Sequence, residues 1–267
     1  GLDVLRAAGL EVVAGVEAEA CTDLNLIFNH WIATGQPLIA GKVALTLDGR
    51  TATRTGHSQW ITGEAARADV HAWRALFPAI AIGAGTALND DPQLTARLPT
   101  GTVCPRRFVF DRRLSLAGAA ARGQPPRLLT DAYAARTTLV TTTATEKTQP
   151  DTLRNLASRF GGSIWALPEA DDATFFQAFR AHLAGEGLTG VVVESGGRLL
   201  SALLRAACLD YLMAYRSPLL LADTEAPPAF AGAAPALLSD GWRLRQVRHT
   251  ILDDDILTRG RLVRAGD

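Results

Sequence analysis

Lys42-Val-Ala-Leu-Thr-Leu-Asp-Gly-Arg-Thr-Ala52, followed closely by Gly56-His-Ser-Gln-Trp-Ile-Thr62, runs apolar alternation straight into a polar, glycine-marked turn. The stretch reads as a strand ending in a binding loop. Further along, Ala79-Ile-Ala-Ile-Gly-Ala-Gly-Thr86 repeats the design, a buried strand whose glycines bring bare backbone N–H groups to the mouth of the next element. A second polar loop, Asn89-Asp-Asp-Pro-Gln-Leu-Thr-Ala-Arg97, follows it. Two strand ends and two polar loops point to one site.

Working outward, the spacing predicts a strand over Leu38–Leu47 and a helix from Thr62, a good N-cap, through Arg74, stopped by Pro78. Upstream, Leu2 to Gly15 reads as the end of a helix, a glycine turn and a short strand, and Glu17 to Thr34 as one amphipathic helix. Downstream, strands at Ala79–Gly83, Arg107–Asp111, Thr138–Thr142 and Ser163–Leu167 alternate with helices at Lys147–Phe160 and Ala173–Gly185 before the apolar Gly190–Glu194. That rhythm predicts an α/β fold with a mainly parallel central sheet flanked by helices. Val247–Leu257 and its neighbours read as shorter, polar-edged antiparallel edge strands, and Ala117–Pro126 and Ala226–Pro235 as loops.

Composition bounds the function classes. The chain has 267 residues, 48% of them hydrophobic, with 27 basic and 27 acidic residues and a formal charge of zero. No Lys/Arg tract offers a footprint for nucleic acid, and no apolar run reaches membrane-spanning length, so the expectation is a cytoplasmic protein acting on a small molecule. Cys21, Cys104 and Cys208 are odd in number, far apart and without His or Cys at ligand spacing. They read as buried reduced thiols, with no metal site.

Three constellations carry chemistry. In Glu194-Ser-Gly-Gly-Arg-Leu-Leu-Ser201 a buried strand ends at an acid and two glycines open a helix, which either offers free N–H groups and a helix dipole to a phosphate or is an ordinary tight turn. Gly83-Ala-Gly-Thr86 lies at another strand's carboxyl end, where open α/β sheets place ligands, but it lacks the third glycine and the downstream acid of a Rossmann fingerprint. The third group is Lys42, Asp48, Asp90, Asp91, Arg74 and Arg97, charges set inside or beside apolar runs, where they must be paired or used. Lys42 either snorkels at an edge strand or points into a site. Trp60 and Trp73 read equally well as packing residues, and Asp90-Asp91 before Pro92 as a turn.

The run from Lys42 to Arg97, including Ala68-Asp-Val-His-Ala-Trp-Arg74 and Gly83-Ala-Gly-Thr-Ala-Leu-Asn-Asp-Asp-Pro-Gln-Leu-Thr-Ala-Arg97, closely resembles the reductase domain of bifunctional riboflavin-biosynthesis deaminase/reductases. The resemblance extends through Val191–Ser201 to Asp254-Asp-Ile-Leu-Thr-Arg-Gly-Arg261 and is weakest between Ala117 and Thr189. It implies a dihydrofolate-reductase-like fold over residues 35–267, with residues 1–34 resembling the end of the preceding deaminase domain and a linking helix. No His-Ala-Glu and no Pro-Cys-x-x-Cys occurs in the chain, so zinc-activated water and deaminase activity are not expected of it.

The resemblance further implies NADPH as cofactor, a homodimer, and reduction of the phosphorylated substrate 5-amino-6-(5-phosphoribosylamino)uracil to its ribitylamino product. Carried over by position, Ser58, Arg74, Leu94, Arg97 and Glu194 hold substrate, with Arg74, Arg97 and Ser58 meeting its 5′-phosphate. Ala44, Trp60, Thr86, Asp90 and Gly196, Gly197, Arg198, Leu199, Leu200, Ser201 and Ala202 hold cofactor. After Phe108-Val-Phe-Asp111 the family often has Ser, whereas this chain has Arg112, the candidate for the cofactor's 2′-phosphate. The ribosylamine must open before C1′ can accept hydride, so Lys42 and Asp90 are the candidate polar assistants and Glu194 the orienting carboxylate. Two rivals remain: a same-fold NADPH reductase of another pterin- or pyrimidine-like substrate, which need not keep Arg74 with Arg97, and a non-catalytic binding or assembly domain, which need not keep Lys42, Asp90 and Glu194.

Overall fold

The computed structural model describes residues 1–232 and 235–264. The chain opens with three short helices, α1 (Leu2–Ala7), α2 (Ala18–Leu24) and α3 (Leu26–Thr34). The strand expected before Gly15 is absent, and the single helix expected over Glu17–Thr34 is broken at Asn25 (φ −106°, ψ 33°). Cys21 lies exposed on α2, not buried as expected, while Cys104 and Cys208 are buried; all three thiols are free.

The first pass across the sheet is β1 (Leu38–Leu45), α4 (Glu64–Leu76), β2 (Ala79–Gly83) and α5 (Ala84–Asn89). Thr62 does not cap α4. The cap position is Gly63, one residue later and without a capping side chain, and its own N–H is accepted by Asp255 Oδ2 at 2.6 Å, a carboxylate distant in sequence.

A small hairpin of β3 (Ala96–Leu98) and β4 (Gly101–Val103) leads into β5 (Arg106–Phe110), and α6 (Ser115–Ala121) occupies half of the segment read as a loop. Buried Asp111 accepts from Ser115 N and Leu116 N and so starts α6. Then come β6 (Thr137–Thr142), α7 (Thr143–Thr148), α8 (Pro150–Phe160), β7 (Ser163–Leu167), α9 (Asp172–Gly185), β8 (Gly190–Glu194), α10 (Gly197–Arg205) and β9 (Tyr211–Arg216). The one helix expected over Lys147–Phe160 is two, because Pro150 begins a new helix at a position where its missing N–H costs nothing.

β10 (Trp242–Leu252) and β11 (Asp255–Arg264) close the described chain as a long antiparallel ribbon, the longest strands rather than the shorter ones expected. Of the Ala226–Pro235 loop, residues 233–234 lie outside the described residues.

The main sheet runs β10-β11-β9-β1-β8-β2-β5-β6-β7, parallel from β9 to β7, with the antiparallel ribbon on one flank. This is the mainly parallel, helix-flanked α/β sheet expected. Leu38 and Ala40 of β1 face a core built with α3, α4, α5, α6 and α8; Ile39 and Val43 face the other, built on α9 and α10. In that second core Trp165 meets Phe108 and Phe179, and Phe110 meets Phe175 and Phe179, at tilted and edge-on angles, which adds about 0.5–1.5 kcal/mol per pair to simple burial. Gly41 lets α10 approach, since a Cβ there would lie 3.1 Å from both Leu200 and Leu209. The carboxyl ends of β1, β8, β2 and β5 therefore stand side by side.

Candidate active site

Lys42 is on a central strand, not an edge: β1 pairs with β9 on one side and β8 on the other, and the β1–β8 register sets Lys42 opposite Glu194. Their charged atoms are 3.7 Å apart. Arg74, from the last turn of α4, meets the same carboxylate with both arms of its fork, Nε to Oε1 at 2.6 Å and Nη2 to Oε2 at 2.8 Å, and gives Nη1 to the Thr95 carbonyl. Two cations and one anion are thus drawn out of water together.

The titration behaviour follows. Burial alone would raise Glu194, but Arg74, with Lys42 and His71, overrides it and holds the carboxyl down at about 2. Burial depresses Lys42 with help from Arg74, and Glu194 only partly offsets this, so its ammonium gives up a proton more readily than an ordinary lysine. Burial also opposes the charge on Arg74, yet Glu194 leaves that guanidinium above its ordinary value. Tyr215 lies beneath, its ring 5.8 Å from Lys42 Nζ and its hydroxyl donating to Asp69 at 2.6 Å.

Around this cluster, Leu94 is buried in the core with a left-handed backbone (φ 56°), turning the chain so that Thr95 reaches Arg74. Arg97 is exposed beside it, with Nη1 3.4 Å from Thr95 Oγ1 and its backbone N–H on His71 Nδ1. The structure therefore brings Lys42, Arg74, Glu194, Leu94 and Arg97 together. Ser58 is half-buried in the loop after β1 and makes no side-chain hydrogen bond among the described residues. Asp48 pins a loop by accepting from Thr46 and from Leu221 N and Ala222 N, and Asp91 pairs with Arg127, so neither joins the cluster.

On the far side of the Glu194–Gly197 turn lies an open crevice of about 320 Å³, lined by Gly83–Gly85, Phe110–Arg113, Phe175 and Arg198–Leu199, among others. Ser195 joins its two glycine loops: its Oγ accepts from Gly83 N at 3.2 Å and lies 3.3 Å from Thr86 Oγ1. The space where Gly85 and Gly196 would carry a Cβ is open. Gly197 is different, since its Cβ would lie 2.7 Å from the Pro228 carbonyl; that glycine admits the protein's own loop.

Of the other residues assigned to cofactor, Ala202 lines the crevice, and Ala44 is half-buried on β1, two residues beyond Lys42. Leu200 is wholly buried in that core, and Ser201 accepts from Ala231 N, so their side chains are spent on packing and on the loop. Asp90 is exposed at the end of α5, with partial desolvation pushing its carboxyl above the usual range. Trp60 is exposed, with the Arg67 guanidinium 4.8 Å from its ring. Arg112 rests 4.0 Å over Phe175 and is bonded to both Glu169 and Asp172, so its charge is already answered. Arg113 and Arg198, by contrast, are exposed on the crevice with no carboxylate partner among the described residues.

Ser195, His71, Thr95, Asp69 and Tyr215 were not singled out from sequence. Ser195 stands inside the quoted Glu194–Ser201 motif, and His71 lies three residues from Arg74 on α4, so the signal was one of neighbourhood. Among the described residues no group of three or more His, Cys, Asp or Glu could hold a metal ion, and no helix is long and apolar enough to cross a membrane.

Comparison with known proteins gives this geometry a family. A family model for the RibD C-terminal domain matches residues 37–258. The chain belongs to that family. The riboflavin biosynthesis protein RibD of Bacillus amyloliquefaciens is 34% identical over 256 residues, covering 96% of this chain and 66% of that protein. The Actinobacillus pleuropneumoniae RibD is 29% identical over 257 residues, covering 96% of this chain and 65% of its own. The chain thus spans about two thirds of the length of these relatives. Among solved structures, Acinetobacter baumannii RibD matches with a TM-score of 0.73 at 28% identity, over 98% of this chain and 68% of that one. A Thermotoga maritima diaminohydroxyphosphoribosylaminopyrimidine deaminase/5-amino-6-(5-phosphoribosylamino)uracil reductase matches with a TM-score of 0.73 at 27% identity, over 98% of this chain and 66% of that one. The RibD family's mixed α/β reductase fold, with its mostly parallel sheet, is the fold described above.

Proposed function

We propose that the chain is an NADPH-dependent reductase of 5-amino-6-(5-phosphoribosylamino)uracil, producing the ribitylamino compound. The observation that carries the reading is the junction at Glu194-Ser195-Gly196. A buried Lys42–Glu194–Arg74 cluster abuts one side of this turn and a glycine-lined, cation-bordered crevice the other, at adjacent strand ends. The Thermotoga relative, named as a 5-amino-6-(5-phosphoribosylamino)uracil reductase, supplies the substrate.

The crevice fits a dinucleotide phosphate: Gly196 and Gly85 leave room for close approach, the α10 N-terminus presents N–H groups, and Arg113 and Arg198 have charge to spare. Arg113 and Arg198, rather than Arg112, are the residues suited to a 2′-phosphate. Held in that crevice, NADPH would supply the hydride that C1′ accepts. This chain's part is to open the ribosylamine and hold it. Lys42 Nζ, its proton loosened by burial, gives that proton to the ring oxygen as the C1′–O bond breaks. Glu194 stays ionised, steadies Lys42 and Arg74 and orients the base; Arg74 and Arg97 face the 5′-phosphate.

Residues 1–34 precede the matched region and expose Val4, Leu10, Val13 and Phe28. We read them as the end of a preceding deaminase domain with its linking helix. The experiment is a fluorescence titration with NADPH and NADH in parallel, followed by substrate-dependent loss of nicotinamide absorbance. Tight NADPH binding with turnover of the phosphoribosylamino substrate is expected, and binding of neither nucleotide overturns the reading.

A further inference from the structure

Lys42 continues a row that begins at Leu38 and Ala40, alternate residues of β1 that face the core built with α4. On the neighbouring strand β9, Met213 stands opposite Lys42, and Tyr215 follows two residues on, so Lys42 and Tyr215 are diagonal neighbours on one face of the sheet. Tyr215 is wholly buried, and Lys42 Nζ lies over its ring at 5.8 Å from the centroid, within reach of a cation–π attraction. The Tyr215 hydroxyl donates to Asp69 Oδ2 of α4 at 2.6 Å. Burial, then this carboxylate, push the phenol far above its ordinary range, so its proton stays in place and is committed to Asp69. What Tyr215 offers Lys42 is therefore the face of its ring, not a proton.

We propose that Tyr215 is the positioning residue of Lys42: its ring, fixed at the far end by Asp69, is the floor on which the ammonium sits. The other contacts show why a floor is wanted. Glu194 is 3.7 Å from Nζ, but both of its oxygens also accept from Arg74, so that carboxylate is shared between two cations. Burial strips water from the ammonium and Arg74 repels it, and both press Lys42 to give up its charge. A ring face adds attraction without adding a second acid, and it is too weak a base to take the proton that a substrate oxygen is to receive. The Tyr215–Asp69 bond also ties β9 to α4 five residues before Arg74, so one side chain helps to hold both cations of the cluster. The inference rests on the proposed function only for the task that Lys42 performs; the seat itself is independent of it.

Lys42 and Lys147 are the only lysines of the chain, and Lys147 is exposed, so lysine labelled at Cε gives one NMR signal for the seat and one internal reference. Rings of nearly one shape but falling π density are placed at the position: Tyr215→Phe, then a monofluorinated and a trifluorinated phenylalanine. The charged groups facing Nζ from the other elements, Glu194 of β8 and Arg74 of α4, are kept in all of them. The expected result is that Tyr215→Phe, which keeps the face, leaves the Lys42 titration midpoint close to that of the parent. Relative to Tyr215→Phe, the trifluorinated ring is expected to lower it by about half a unit to one unit, the monofluorinated ring by less, with Lys147 unmoved. The basic limb of kcat is expected to move to lower pH by the same amount, with the dissociation constant for NADPH unchanged. Equal midpoints across the fluorinated series overturn the proposal. So does a shift in Tyr215→Phe as large as that of the trifluorinated ring, which assigns the effect to the hydroxyl and Asp69. A shifted midpoint with an unmoved limb of kcat upholds the seat and removes Lys42 as the proton donor, so the two readings fail separately.

Discussion

On one side of the Glu194-Ser195-Gly196 turn, Lys42, Arg74 and Glu194 are mostly buried and bonded to one another; on the other, Arg113 and Arg198 stand exposed on an open crevice with no carboxylate partner among the described residues. The first region is assembled before any ligand comes, so its charges cost folding energy and are held in place by mutual compensation. The second leaves its charges in water, where they add little to stability and remain free for an anion. Chemistry that needs a precise proton donor belongs in the first, and recognition of a flexible polyanion in the second.

The largest effect expected from breaking this contrast is at Glu194. Glu194→Gln removes the one anion between two mostly buried cations and is expected to destabilise the fold by about 3–5 kcal/mol and abolish turnover. Chemical denaturation reads the first and a nicotinamide absorbance assay the second; a variant as stable as the parent means the three charges do not depend on one another. The pH dependence has a definite sign. Because folding lowers the Glu194 carboxyl from 4.5 to about 2, its contribution is fully present above the ordinary value and is lost as pH falls through that window. Glu194→Gln is expected to flatten stability between those limits.

Lys42→Met comes next. It leaves the Arg74–Glu194 pair whole and is expected to lower kcat by roughly 10²–10⁴ with the dissociation constant for NADPH unchanged. A comparable loss of NADPH affinity would place Lys42 with the crevice instead.

Across the turn, adjacent glycines sharpen the comparison. Gly196→Val projects into open space from a backbone (φ −62°, ψ 165°) that valine accepts, and about tenfold weaker NADPH binding is expected with an unchanged melting temperature. Gly197→Val meets the Pro228 carbonyl and is expected to cost folding stability first. Equal melting temperatures for the two variants remove the distinction drawn between them.

The smallest effect is expected at Arg113. Arg113→Ala is expected to weaken NADPH by about two- to fivefold at low salt, fading as ionic strength rises, with NADH unaffected. Arg112→Ala, whose charge is already answered by Glu169 and Asp172, is expected to leave both affinities alone. If the two arginines exchange these behaviours, Arg112 reads the 2′-phosphate after all.

Much of this arrangement was legible in the chain. The apolar runs at Ala79–Gly83 and Gly190–Glu194 coincide with β2 and β8, since a parallel strand covered on both faces is apolar throughout and ends where glycines begin. Lys42 announced itself as a charge inside such a run. Elsewhere a group from a distant element changes what the local chemistry offers. Thr62 is a good cap by composition, but the helix begins one residue later, where Asp255 holds the Gly63 N–H. Arg112 offers a charge in the right segment, but α9 brings Asp172 to neutralise it. Leu200 and Ser201 lie in the same motif with their side chains buried, because a helix turns successive side chains through about a hundred degrees and only some can line a crevice.

By itself the sequence determined the alternation of strands and helices, the glycine turns at the ends of β2 and β8, and the presence of charge inside and beside the apolar runs, all set by periodicity and backbone sterics over a few residues. Only the tertiary structure decided which charges meet. Glu194 is 120 residues from Arg74 in sequence, and β1 pairs with β8 and β9 across most of the chain's length. Their union at one carboxylate is a product of strand order and register, which no local pattern encodes, because the free energy that selects a register comes from burying whole sheet faces at once.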